Sequence, residues 1–142
     1  MAFSSFQFTQ PLLINSQFEM RRKQKAEDDV QVHLGRKIVR LKDDNKKAII
    51  ELKVQLNKAE DQERDDPCFI AEVTMQSMFS WTEETDEKQA EALLNVNAPA
   101  LLLSYARPII AQLTSASPLQ TYNIPFINMN ELFVDAMPQG IQ

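Results

Sequence analysis

Few side chains in this 142-residue chain could do chemistry. It contains one histidine, His33, and one cysteine, Cys68. Together they cannot supply a Cys/His zinc site, an intrachain disulfide or a Cys-x-x-Cys redox pair. Paired carboxylates occur only in charged runs typical of solvated surface, and His33 is the only base available to a serine or cysteine nucleophile. The residues therefore predict a protein that is not an enzyme and that holds no metal and no cofactor.

Charge is distributed unevenly along the chain. The formal net charge is −5, yet a basic run occurs early, at Arg21, Arg22, Lys23 and Lys25. Acidic residues at 27–29 follow directly, and a negative protein is repelled by phosphate backbones, so we interpret the run as a solvated loop. We predict no nucleic-acid partner. The chain has only two glycines, and neither belongs to a phosphate-binding G-x-G-x-x-G motif.

The longest informative segment is uncharged. Between Ala92 and Asn130 the only ionic side chain is Arg107. Such a segment is expected to be buried in the protein core, at a subunit interface or beneath a ligand. We predict no membrane insertion, because Ala92–Ala106 contains two asparagines and is shorter than the roughly 18 apolar residues of a spanning helix. The N-terminus lacks the pattern of a secretion signal, so we expect a cytoplasmic protein.

Alternating polarity predicts four β-strands. Leu12–Met20, Ala48–Leu56 and Cys68–Trp81 alternate apolar and polar residues with a period of two. A further strand begins at Val30, and its apolar parity changes after Gly35, which we interpret as a bulge or a bend at the glycine. Because short polar links join successive strands, we predict a four-stranded antiparallel meander.

Helical signals follow the strands. Acidic residues at 83–87 favour a helix start, and the helical pattern continues to about residue 116. Pro99 and Pro108 are expected to bend or break this long helix. A loop and a short C-terminal helix complete the chain. The prediction is one α+β domain over residues 1–142, with strands within about 6–81 and helices at about 83–116 and 128–137.

The uncharged segment also carries a recognisable motif. Asn97–Arg107 reads N-A-P-A-L-L-L-S-Y-A-R, and after an apolar helix Tyr122–Phe133 reads Y-N-I-P-F-I-N-M-N-E-L-F. This block resembles the C-terminal half of the SecB chaperones, in which a Pro-x-x-Leu-x-x-Tyr-Ala-Arg helix leads through a loop into a helix containing Leu-Phe. The preceding strands match that family in order and length, so the resemblance covers residues 6–137.

The resemblance implies an ATP-independent holdase. SecB proteins are dimers of dimers that bind unfolded or nascent polypeptides in apolar grooves and keep them competent for export. Some SecB-like members instead protect the antitoxin of a toxin–antitoxin pair. We therefore expect a homotetramer with a polypeptide client, which is either a preprotein or an antitoxin, and the resemblance adds the translocase motor SecA as a further partner.

The same resemblance implies roles for individual positions. The expected client-groove residues are Val30, Val32, Leu34, Phe126, Met129, Leu132 and Phe133. The expected subunit-interface residues are Ala71, Val73, Met75, Leu102 and Tyr105. The expected SecA-docking residues are Glu19, Ile70 and Glu72. Ordinary core packing is the competing interpretation for the first two sets, and a solvated surface is the competing interpretation for the two acids.

The chain departs from the family pattern at several positions. Asn15 stands where the docking patch usually has a second acid, which weakens charge complementarity with SecA. The chain ends at Gln142 without the basic and polar tail that many members use as another SecA contact. The crossover Arg21–Asp29 has no aromatic residue, and Pro108 replaces an acidic helix residue. We therefore expect a divergent SecB-like chaperone with a reduced link to export.

Overall fold

Strands come first and helices second in the part of the chain that the computed structural model describes, residues 3–58 and 66–133. The strands are β1 (Phe6–Phe8), β2 (Leu12–Met20), β3 (Val32–Arg40), β4 (Lys47–Leu56) and β5 (Phe69–Trp81). The helical elements are α1 (Glu87–Ala92), a π-helical turn (Leu93–Asn97), α2 (Ala98–Ser115) and α3 (Met129–Phe133). The predicted α+β class, with an antiparallel sheet followed by one long helix, is confirmed. Most of the predicted charged loop at 58–66 and the predicted helix end after Phe133 lie outside the described residues.

The order of the strands differs from the predicted meander. The order is β2-β5-β4-β3, and β1 lies in line with β2 along the same edge of β5, separated from it at residues 9–11. Only β3, β4 and β5 form a meander, so the four-strand version was wrong. Residues 21–31 carry the chain from one sheet edge to the other, across a width of roughly 14 Å at the usual strand spacing. Alternation in the sequence specifies which side chains face inward but not which strand is the neighbour.

One face of the sheet packs against α2 and forms the core. Alternate residues of β4, such as Ile50 and Leu52, are fully buried on this inner face. From the helix, Leu102, Ala106 and Ile110 are buried against them, at the four-residue spacing that aligns side chains along one helix face. Each such Leu or Ile side chain contributes about 1.5–3 kcal/mol on burial, so these two layers supply much of the stability.

The predicted bulge at Gly35 is absent. β3 pairs with β4 in unbroken register from Val32 to Arg40. The apolar parity changes in the sequence because Arg36 occupies a buried inner-face position while Val39 lies on the outer face. The irregularity of the sheet lies instead in β2, where the register with β5 shifts at Ile14.

Arg36 is buried because it completes the backbone hydrogen bonding beside a proline. Pro99 has no N–H, so the carbonyl of Asn95, four residues earlier, lacks its α-helical donor. The chain forms the π-helical turn here, and Arg36 Nη1 donates a hydrogen bond to that carbonyl. The predicted helix interruption at Pro99 therefore takes the form of a π turn stabilised from the sheet.

The other predicted helix signals have different outcomes. α1 begins at a capping box in which the Asp86 carboxylate accepts the Gln89 N–H at 2.8 Å and Gln89 Oε1 accepts the Asp86 N–H at 3.2 Å. Pro108 does not end α2, which continues to Ser115. The carbonyl that Pro108 leaves without a helical donor belongs to Ser104, which lies on the exposed side of the helix.

Candidate functional site

The outer face of the sheet brings the predicted docking residues together. Glu19 on β2 lies opposite Ile70 on β5 in the strand register, and Glu72 follows on the same face. With Gln17 and Gln55 they line a cleft of about 420 Å³. We call Glu19, Ile70 and Glu72 the docking patch. Their proximity fits one surface, whereas the SecA contact itself stays a prediction.

Amide groups hold the central carboxylate of the docking patch. Asn15 Nδ2 donates to one oxygen of Glu72 at 2.6 Å, and Gln55 Nε2 donates to the other at 3.0 Å. Glu19 pairs with Arg21 across 3.4 Å. Both acids are therefore engaged within the chain, which reduces the negative potential that a basic partner would meet. Asn15 is neutral at a position where the resemblance predicts an acid, and its amide also donates a hydrogen bond to Glu72.

The C-terminal segment returns along α2. The Tyr122 N–H donates to Thr114 Oγ1 at 2.8 Å, and nearer the start of α2 Arg107 Nη2 donates to the carbonyl of Pro125 at 3.0 Å. Phe126 is 97% exposed, and the Arg107 guanidinium carbon lies 5.5 Å from its ring centroid. Arg107, the one ionic side chain of the uncharged segment, thus anchors the returning segment and presents an aromatic ring to solvent.

The predicted groove residues have different environments. Val30, just before β3, and Val32 and Leu34, at its start, are half-buried and pack against the core. Met129 is buried, whereas Phe126 lies in solvent. These positions therefore differ in how much apolar surface they offer to a client, and their role in a groove stays a prediction. The last two predicted residues, Leu132 and Phe133, lie in α3 with side chains outside the described part of the structure.

The predicted interface residues lie mainly in the chain's own core. Ala71, Val73 and Met75 are buried on the inner face of β5, Leu102 is buried on α2, and Tyr105 is half-buried. The environment of Ala71, Val73, Met75 and Leu102 is that of ordinary core residues, which was the interpretation competing with a subunit interface. A second copy could contact them only if they left this core, so a subunit interface has to be sought among exposed residues.

The β2 edge of the sheet begins with three exposed apolar residues, whereas the β3 edge is charged. On β2 the exposed fractions are 56% for Leu12, 48% for Leu13 and 50% for Ile14. On β3 the edge instead carries the exposed Lys37 and also Arg40, whose guanidinium pairs with a carboxylate of α1 at 2.6 Å. Charges on an edge strand discourage pairing with another chain, whereas an apolar edge favours it. The sequence analysis identified β2 but did not show that it lies at an edge.

Sequence reasoning also missed a cleft beside the crossover. Residues 20–26 and Asp28 form one wall, residues 118–120 form the other, and the space between them measures about 920 Å³. The Gln120 N–H donates to Gln24 Oε1 at 3.2 Å and joins the two walls. We call this space the crossover cleft. Its signal in the sequence was the basic run, which the neighbouring acids led us to interpret as an ordinary solvated loop.

An ion pair shapes the crossover. Two nitrogens of Arg22 donate to the two oxygens of Asp28 at 2.9 and 2.7 Å, and the Lys25 N–H donates to the same carboxylate at 2.6 Å. The Arg22 side chain and this backbone donor hold the pKa of Asp28 well below its usual range. The carboxylate is therefore ionised at neutral pH and fixes the turn of the crossover.

The described residues offer little for catalysis or metal binding. Cys68 is a buried free thiol whose pKa is raised by its burial, which favours the unreactive protonated form. Residues 3–58 and 66–133 contain no cluster of three or more His, Cys, Asp or Glu side chains that could hold a metal ion. Within the same ranges, no helix has the length and apolarity needed to cross a membrane.

A match to a protein-family model establishes which family the chain belongs to. The family model described as "Preprotein translocase subunit SecB" matches residues 9–140. The chain belongs to the SecB family. A curated relative, the protein-export protein SecB of Anaplasma phagocytophilum (strain HZ), is 34% identical over 89 residues. That match covers 59% of this chain and 56% of the relative, so it spans little more than half of either SecB sequence.

A solved structure agrees with the fold of this SecB-family chain. The SecB-like chaperone of Mycobacterium tuberculosis, solved in complex with a peptide from an antitoxin, superimposes with a TM-score of 0.65 at 16% identity. The superposition covers 87% of this chain and 91% of the other. The SecB-like fold predicted from the sequence is thus confirmed. On this fold lie the docking patch, the apolar edge of β2, the exposed Phe126 ring and the crossover cleft.

Proposed function

We propose that this SecB-family chain is an ATP-independent holdase that binds unfolded or nascent polypeptides and keeps them competent for export. The observation that carries the proposal is the apolar ring of Phe126, which the fold leaves 97% exposed to water. Such surface is typical of a site that binds other chains. Apolar contact carries little sequence information, so it suits a protein with many clients.

Phe126 is the best-placed contact for a client. The hydrogen bond from Arg107 to the carbonyl of Pro125 anchors the backbone beside this exposed ring. Because the ring is held in place beforehand, it loses less conformational freedom when a client binds. One client Phe or Leu side chain buried against it contributes only about 1.5–3 kcal/mol. A useful affinity therefore needs several such contacts on one client chain, which an oligomer supplies by raising the effective concentration.

The proposal includes a cytoplasmic homotetramer, built as a dimer of dimers. Because four of the five predicted interface residues are buried in the core, we assign the first contact to the apolar residues 12–14 of the β2 edge, which can pair with a second copy and extend the sheet. The outer side of α2 supports a second contact. Its exposed positions, Ala100, Ser104, Pro108 and Gln112, carry no charge, so they can be covered by another subunit without desolvating an ion.

A holding assay tests this function. The purified chain is added to several unrelated denatured client proteins, at molar ratios up to one per client, and client aggregation is followed by light scattering. We expect suppression without ATP, and a clear loss of suppression in the Phe126→Ala variant. Phe3→Ala is the matched control, because Phe3 is also highly exposed, at 83%, but lies at the other end of the chain. No suppression by the wild-type protein contradicts the holdase, and equal loss in both variants contradicts the assignment of Phe126.

A second candidate function is protection of one antitoxin. The Mycobacterium tuberculosis relative was solved with an antitoxin peptide, and in this chain the Asn15–Glu72 hydrogen bond occupies the patch that export would use. A dedicated chaperone needs one tight client segment instead of many weak ones. If the protein suppresses the aggregation of only one client in the panel, and if its binding maps to one segment of that client, antitoxin protection is favoured over export.

A further inference from the structure

Asn57, directly after β4, has a backbone conformation that few residues adopt. Its φ angle is 58°, in the left-handed region. A side chain makes this region unfavourable, although asparagine tolerates it better than most residues. Only 7% of Asn57 is exposed, so its amide needs hydrogen-bond partners inside the protein. Since glycine would satisfy the backbone requirement by itself, the buried amide indicates a further role for the side chain.

The side chain of Asn57 completes a strand pair that its backbone leaves half made. The Asn57 N–H donates to the carbonyl of Gln31 at 2.7 Å, which continues the pairing of β4 with β3 by one residue. A regular antiparallel pair of this kind exchanges two such bonds. Here the Gln31 N–H donates instead to Asn57 Oδ1, at 3.0 Å. The amide oxygen therefore takes the place of a strand carbonyl.

The other end of the same amide reaches a third strand. Asn57 Nδ2 donates to the carbonyl of Phe69, the first residue of β5, at 2.9 Å. One buried side chain thus joins the last residue of the crossover, the end of β4 and the start of β5.

The peptide unit that Asn57 holds lies between two of the predicted client-groove residues. Val30 and Val32 flank Gln31, and both are half-buried, so part of their apolar surface reaches solvent. Two positions is the spacing that places side chains on one side of an extended chain. Because Asn57 engages both the N–H and the carbonyl of Gln31, it fixes the backbone that sets these two valines relative to each other.

We propose that Asn57 is a positioning residue for client binding, which acts through Gln31 to hold Val30 and Val32 in place. The inference rests on the proposed holdase function and adds a residue that need not touch the client. Apolar contacts that are already fixed lose less conformational freedom when a client binds. Loosening the segment should therefore weaken client affinity even in a folded protein.

Two substitutions separate the two side-chain hydrogen bonds. Asn57→Gly keeps the left-handed backbone and removes both bonds, whereas Asn57→Asp keeps an oxygen for the Gln31 N–H and removes the donor to Phe69. Affinity for a fluorescein-labelled extended peptide with leucine at alternate positions is measured by anisotropy on the full-length assembled protein. We expect about three- to tenfold weaker binding in Asn57→Gly, as the lost preorganisation allows, and binding close to that of the wild type in Asn57→Asp.

Ser77→Ala is the matched control for lost stability. The buried Ser77 hydroxyl donates to the carbonyl of Thr9 at 2.7 Å, in the second half of β5 and away from the crossover. Its removal should lower the free energy of unfolding, measured with urea, and leave peptide affinity unchanged. A purely structural Asn57 would behave in the same way.

Hydrogen exchange provides a second measurement that needs no client. The Gln31 amide should exchange faster in Asn57→Gly than in the wild type, and should stay protected in Asn57→Asp, because only the glycine removes its acceptor. If Asn57→Gly does not fold, the Asn57→Asp comparison still decides, since weaker binding by that folded variant would overturn the assignment to Gln31.

The outcomes separate this inference from the proposed function. If the wild-type protein binds the peptide and Asn57→Gly binds it equally well, or if Ser77→Ala weakens binding as much, the positioning role is overturned and the holdase stands. If the wild-type protein neither binds the peptide nor suppresses aggregation, the holdase is overturned, and the positioning role with it.

Discussion

Asn15 shows how one side chain can change a surface without changing the fold. Its amide donates to Glu72, which also accepts from Gln55, so the central acid of the docking patch is satisfied within the chain. Charged groups at the rim of an interface mainly set the association rate and its salt dependence. A patch with an amide at position 15 and with both of its acids engaged within the chain is therefore expected to attract a basic partner slowly.

Asn15→Asp should restore the docking patch. The new carboxylate cannot donate to Glu72 and repels it, so negative charge returns to the surface, and association with SecA should become about two- to fivefold faster at low salt. Association is measured by surface plasmon resonance at two salt concentrations. Asn45→Asp, in the exposed turn between β3 and β4, is the control for the added charge. Equal acceleration in both variants, or none in either, contradicts SecA docking at this patch.

At the scale of the element, the π-helical turn depends on a residue from the sheet. Pro99 leaves the carbonyl of Asn95 without a helical donor, and Arg36 supplies one from β3. Burial lowers the pKa of Arg36, because the charged guanidinium loses part of its hydration. Hydrogen bonds from charged groups contribute about 1.5–3 kcal/mol.

A double-mutant cycle tests the link between these two residues. Arg36→Met should lower the free energy of unfolding by about 1.5–3 kcal/mol, since it removes a charge-assisted hydrogen bond to a buried carbonyl. The same change should cost less in the Pro99→Ala background, because the backbone N–H at position 99 can then donate to the Asn95 carbonyl. Both values come from urea denaturation. Additive effects of the two substitutions would show that Arg36 stabilises the fold for a reason unrelated to the proline.

At the scale of the whole molecule, the two sheet edges differ in a way that favours assembly on one side. The β2 edge exposes three consecutive apolar residues, whereas the β3 edge carries charge. Continuous pairing across two β2 edges would satisfy backbone groups and bury apolar side chains at the same time. In the proposed tetramer, the uncharged outer side of α2 then remains for the contact between dimers.

Charging the β2 edge should therefore break the assembly without unfolding the chain. In the double variant Leu12→Lys with Ile14→Lys, two half-exposed side chains become cations that repel their copies across a paired edge. We expect a smaller mass by multi-angle light scattering, with an unchanged far-ultraviolet circular dichroism spectrum. Thr82→Lys, in an exposed turn, controls for added charge. An assembly of unchanged mass would exclude the β2 edge as an interface.

The sequence by itself determined the element types, the inner faces of β4 and β5, and the family. Alternating polarity and a fixed motif around Arg107 express these properties locally, since each depends only on neighbouring positions along the chain. It did not determine that β2 lies beside β5, that Arg36 reaches the π turn, or that the basic run lines a cleft with residues 118–120. Each of those depends on contacts between residues distant in the sequence, such as Gln24 with Gln120, and only the tertiary structure decides which partners meet.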